Sequence, residues 1–208
     1  MAKRIIIGID PGFSGGITIM KNGKADVYEM PVRQIIMSDK RKKKEYDIQG
    51  VVSLLSPLSG DVVVSIEKVH AGPGEGTVSM FNFGKGYGIL LGVVHTLGFE
   101  VHEVMPQTWK KTFPELRTDE IDQAKALQKD LRARNKSVKE KEKKKQNTKE
   151  IERLARQVKS LGKDAARDLA GKLYPKLIDR FKLKKSDGLA DSLLIAEHIK
   201  RAIDNELV

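Results

Sequence analysis

The chain has 208 residues, a formal charge of +11 and charged side chains at 32% of its length, room for one domain with a sizeable core but not for two enzymatic domains. The excess of cations points to a polyanionic partner, either nucleic acid or an anionic membrane surface. Cysteine is absent, which excludes disulfides, thiolate zinc sites and cysteine nucleophiles.

The basic start runs into Ile5-Ile6-Ile7, three β-branched residues that predict a buried strand ending at Asp10. Gly8 and Asp10 break the apolar run too early for a signal peptide, and no run approaches the roughly 20 apolar residues of a membrane span. A soluble, cytoplasmic protein is expected. A carboxylate at the end of a buried strand is offered at the strand's mouth, where a cation or polar substrate can meet it. A strand-capping Asp in a tight hairpin is the alternative. Pro11 and Gly12 turn the chain, Gly16 to Met20 predicts a second strand, and Ala25 to Met30 a third.

Pro31 to Glu45 is polar and holds Lys40-Arg41-Lys42-Lys43-Lys44. It reads as a solvated loop with a possible nucleic-acid contact. Asp47 caps a short helix through Leu55 that ends before Pro57. Val62 to Glu67 then repeats the opening design, a β-branched run leading to an acid. Two such strands can bring Asp10 and Glu67 to one edge of a sheet.

His70 lies in a glycine-rich loop, where a lone histidine is more often neither ligand nor acid. From Thr77 to Leu97 the apolar positions recur at a helical period. Gly84, Gly88 and Gly92 form a stripe on one face. Each costs up to about 1 kcal/mol in a helix interior, so the stripe predicts close approach of another backbone, from the sheet or from a partner subunit. Glu100 to Met105 reads as a strand, and Pro106 opens a basic helix carrying Trp109, Lys110 and Lys111.

Residues 117 to about 160 change character. Between Lys129 and Arg153 there are eleven Lys or Arg against five Asp or Glu. This predicts a solvent-facing helical excursion, with a hairpin around Asn135 to Thr148 or a flexible charged loop at its centre. Amphipathic pattern returns near Lys163, in a helix carrying Ala165, Leu169, Leu173, Pro175 and Leu177. The last helix runs from Asp187 through Ile203. Asp187 and Asp191 are four apart, hence about one turn apart on one face, where like charges repel unless a cation lies between them. An N-terminal position accounts for Asp187, but not for Asp191 within an apolar run. Two acids at strand ends and two on a helix face make an all-oxygen site, suited to Mg²⁺ or Mn²⁺.

The order strand–IDPG, apolar strand–IE and DGLADSLLIAEH resembles the RuvC family of Holliday-junction resolvases. FNFGKGYG, PQTWKK and KLYP are closer to its phage-encoded branch. The resemblance covers residues 1 to about 116 and 163 to 200. It implies an α/β, RNase H-like mixed sheet flanked by helices, in a single domain over 1–208 with the charged helical insertion at about 117–160. It also implies a homodimer, in the host cytoplasm if phage-encoded, that cuts branched DNA. Asp10, Glu67, Asp187 and Asp191 take the roles of metal-binding catalytic acids. Two Mg²⁺ per site are implied, with Mn²⁺ as a substitute: Asp10 bridges them, Glu67 holds one, and Asp187 with Asp191 the other. Bacterial members place the penultimate ligand three residues before the last Asp, where Gly188 stands here. The four-residue spacing resembles phage and mitochondrial variants. Candidate phosphate contacts are Lys42, Lys43, Lys68, His70, Lys85, Lys110, Lys111, Lys184 and Lys185. Two other readings remain open: a non-catalytic branched-DNA binder, and an actin-like or sugar-kinase-type ATP-binding domain.

Overall fold

In the computed structural model, residues 4–38, 40–69 and 76–205 are described. The β-branched runs become strands Ile5–Asp10 (β1), Gly16–Lys21 (β2), Lys24–Glu29 (β3), Val62–Glu67 (β6) and Glu100–Val104 (β7). They form one mixed sheet in the order β3-β2-β1-β6-β7. The β1–β2 and β2–β3 pairs are antiparallel, whereas β1–β6 and β6–β7 are parallel. The crossover from β6 to β7 runs through helix Thr77–Thr96 (α2), as a parallel connection requires.

Strand parity then assigns every side chain of the central pair to a face. Ile5, Ile7, Ile9, Val64 and Ile66 pack against Val51 and Leu55 of α1 (Ile48–Leu55) and Leu90 and Val94 of α2. Ile6 and Val63 face the other way, onto Leu189, Leu193 and Ala196 of the last helix, α7 (Asp187–Asp204). Each fully buried aliphatic side chain contributes about 1.5–3 kcal/mol. The acids follow the same alternation: Ile6-Gly8-Asp10 and Val63-Ser65-Glu67 place both carboxylates on the α7 side.

That helix lies almost in contact with the sheet backbone. A Cβ on Gly8 would fall 2.2 Å from Ser192 O, and one on Gly188 would fall 2.2 Å from Ser14 O. Only glycine fits at either point. A buried contact between Thr18 Oγ1 and Ser192 Oγ, at 2.8 Å, fixes the register of helix on strand. A third apolar cluster joins Trp109 and Phe113, in and just after α3 (Pro106–Lys111), to Ala166 and Leu169 of α5 (Lys141–Leu173) and to Leu194 and Ile195 of α7.

Four expectations are corrected. Pro31 to Glu45 is not a loop: Val32–Ile36 (β4) and Lys42–Tyr46 (β5) pair as a separate antiparallel hairpin. Buried Tyr46 anchors its end, and the lysines that suggested a loop lie along β5 facing solvent. The glycine stripe meets no backbone within the chain, for a Cβ at Gly84, Gly88 or Gly92 finds nothing within 4 Å. The close contact on α2 is at Gly86, against the Tyr46 ring. The helix expected to carry Pro175 stops at Leu173. Proline cannot supply the interior N–H, and the chain passes through a 3₁₀ turn, Pro175–Leu177, into α6 (Ile178–Phe181).

The charged excursion is an antiparallel pair of helices, α4 (Asp119–Ser137) and α5, which turns at Val138 to Glu140. It is not wholly without a core, since Ile121, Ala124 and Leu154 are buried. Nor does it re-enter the body through a joint: α5 is one continuous helix from the arm to the packing surface under α7. No described helix is long and apolar enough to cross a membrane.

Candidate active site

Asp10 and Glu67 end adjacent parallel strands, one step beyond the Ile9–Ile66 pair. Asp191, one turn into α7, completes a group of three. Burial raises the Asp10 pKa well above the usual carboxylate range, and the Asp191 and Glu67 charges raise it further. Burial also pushes Asp191 up to about 6, with Glu67 and Asp187 adding to the effect and Lys110 and Lys163 opposing it. Three acids thus sit within mutual electrostatic reach in a half-buried site, opposed by two lysines.

Asp187 is placed differently. Its carboxylate accepts from Lys163 Nζ at 2.6 Å and from the Arg167 guanidinium, both on α5. Asp191 feels the Asp187 charge, but Asp187 is not among the charges that move Asp10. Helical spacing alone had put Asp187 and Asp191 in one site. The structure keeps them on one face but gives Asp187 to the arm's root.

Chemistry of the donors fits a hard divalent cation: carboxylate oxygens whose repulsion a bound cation would relieve. Among the described residues, however, no three His, Asp or Glu side chains are arranged as a ready metal cage. The donor set is present and the cage is not closed.

Four residues of the site carried no sequence signal of their role. Trp109 Nε1 donates to Glu67 Oε2 at 2.7 Å, fixing that carboxylate; its signal was being the sole tryptophan, beside Lys110. Lys163 and Arg167, four apart on α5, hold Asp187. Tyr46 lies near Asp10, its hydroxyl bonded to the Gly12 backbone and its pKa pushed up to about 12, chiefly by burial.

Among the candidate phosphate contacts, Lys110 is best placed, with Nζ 4.9 Å from the Trp109 ring centroid and its charge acting on both Asp10 and Asp191. Lys111 and Lys68 are exposed on the same side chains' flanking segments, Lys68 directly after Glu67. Lys42 is exposed on β5. Lys43 and Lys85 line a pocket with exposed Phe13 and buried Tyr46, and Lys185 lines a neighbouring one with Phe13 and Lys44. Lys184 belongs instead to the groove between α5 and α7. His70 lies outside the described residues.

No family model and no curated protein matches the chain. Among solved structures it is similar to T. thermophilus RuvC in complex with a Holliday junction substrate, at 13% identity and a TM-score of 0.41, over 98% of this chain and 96% of that one. So loose an overlap carries no argument, and function is argued from the site.

Proposed function

We propose that the protein is a metal-dependent endonuclease that cuts branched DNA, a Holliday-junction resolvase of the RuvC type and of the phage-encoded branch its motifs resemble. The observation that carries this reading is the convergence of Asp10, Glu67 and Asp191 from two strand ends and one helix, in a chain of net charge +11. An architectural DNA binder has no use for three acids that repel phosphate and one another. A sugar-kinase-type fold needs two such domains around its nucleotide, and this chain has one five-stranded sheet.

Asp10, Glu67 and Asp191 are the residues that would hold the ions, with Asp187 as a fourth ligand once released from α5. When bound, a pair of Mg²⁺ ions supplies the activation of water and the positive charge that the leaving 3′ oxygen needs. Trp109 keeps the Glu67 carboxylate in one orientation by its indole N–H. Lys110 favours the ionised forms of Asp10 and Asp191 and presents an ammonium to a phosphate beside them. Exposed lysines of β5 and α3 neutralise flanking phosphates, which positions the duplex arms without reading sequence. Two copies related by a two-fold axis match the two strands of a four-way junction.

The test is cleavage of a synthetic four-way junction, a fork and a linear duplex side by side in Mg²⁺, with Mn²⁺ and EDTA arms. Branched substrates should be cut and the duplex spared. Asp10→Asn, Glu67→Gln and Asp191→Asn should each abolish cutting while junction binding in EDTA persists. Wild-type turnover in any of the three sinks the assignment.

A further inference from the structure

The groove between α5 and the start of α7, a cavity of about 240 Å³, is lined by Arg156, Lys159, Lys163, Arg167 and Lys184 against Asp164 and Asp187. Arg156, Lys159, Lys163 and Arg167 recur at helical spacing along one face of α5. The Arg167 side chain is only 10% exposed, and its guanidinium is divided between Asp164 and Asp187. Lys163 shares Asp187 with it. Arg156, Lys159 and Lys184 have no acidic partner within ion-pair distance among the described residues. Five cations therefore share two carboxylates.

Such a deficit suits a phosphate, whose oxygens accept from several cations at once, with the Arg167 fork the strongest single donor. The same geometry leaves Asp187 committed to α5 rather than to the three acids beside it. Moving it toward them alone would leave a largely buried guanidinium short of a counter-ion, which is costly. A phosphate arriving in the groove removes that cost.

We propose, building on the nuclease reading above, that this groove binds a DNA backbone phosphate, which replaces Asp187 as the partner of Lys163 and Arg167. Asp187 is thereby freed to join Asp10, Glu67 and Asp191. DNA lying along the arm runs down the same face of α5 into the groove, so substrate binding closes the metal cage. Cation affinity and DNA affinity are then coupled, each raising the other.

The test uses the full chain and Tb³⁺, a hard oxygen-seeking cation whose luminescence Trp109 sensitises beside Glu67. Saturating linear duplex should tighten Tb³⁺ binding to the wild type about fivefold or more beyond its effect on Asp187→Asn. This difference removes any contribution from Tb³⁺ bound directly by DNA. Lys163→Gln, at a half-exposed position, should tighten Tb³⁺ binding without DNA. Equal DNA effects in wild type and Asp187→Asn overturn the proposal, as does unchanged DNA-free affinity in Lys163→Gln. Thermal melting checks that each variant folds; if Asp187→Asn does not, the Lys163→Gln result decides alone. Anisotropy of a fluorescein-labelled duplex runs alongside. A chain that binds no DNA overturns both readings, whereas one that binds and cuts junctions yet shows no coupling overturns this one only.

Discussion

Asp10 and Asp191 hold their protons more tightly in the folded chain than an unfolded carboxylate does, Asp191 with a pKa of about 6. A raised acid stabilises the fold at low pH, and that contribution is lost as pH rises through the folded pKa. In EDTA, stability should therefore fall from about pH 4 to above pH 6. At pH 7.5, Asp10→Asn and Asp191→Asn should each unfold later than the wild type, by roughly 1–3 kcal/mol. Denaturant melts at pH 4 should show no such gain, and an equal gain at both pH values would mean that repulsion is not its cause. Packing at the same site is equally exacting. Gly188→Ala drives a methyl into the backbone of the β1–β2 turn. It should cost about 1–3 kcal/mol and displace the helix that carries Asp191, so cutting should be lost even where the chain still folds.

At the scale of elements, the arm is the part whose role is least constrained by the core. Its outer helical turns are charged and exposed, while the buried Leu154 and Ile121 lie nearer its root. Replacing residues 135–148 with a short Gly/Ser linker should leave the sheet and its helices folded. Junction affinity should fall, and the slope of log K against log salt should become shallower as phosphate contacts disappear. An unchanged slope would show that the arm does not touch DNA. Elements were legible in the sequence where one local pattern decided them: β-branched runs for β1 and β6, the Asp47 cap for α1, sustained periodicity for α2 and α7. The β4–β5 hairpin was hidden because a lysine-rich outward face looks like a loop when its pairing partner is unknown. Asp10, Glu67 and Asp191 could be read because strand ends and helix spacing are local facts. The capture of Asp187 could not, since Lys163 and Arg167 stand 24 and 20 residues away on a helix whose course depends on the arm.

For the whole molecule, the open side of α2 raises the question of a second copy. Val78 is 74% exposed and Phe81 70%, and Gly84, Gly88 and Gly92 present a groove with nothing within 4 Å of where a Cβ would stand. Glycines cost helix stability without any gain within the chain, which is the pattern expected where another backbone approaches. A resolvase also needs two sites facing two strands. Light scattering at micromolar concentration should therefore report about twice 23.2 kDa. Phe81→Asp should yield a folded monomer that nicks one strand without concerted cutting of the second. Gly88→Ala separates the two explanations of the stripe. In a monomer it should raise stability by up to about 1 kcal/mol by relieving helix entropy; in a dimer packed on that face it should weaken association instead. A strict monomer that still cuts both strands in concert would count against the two-fold arrangement.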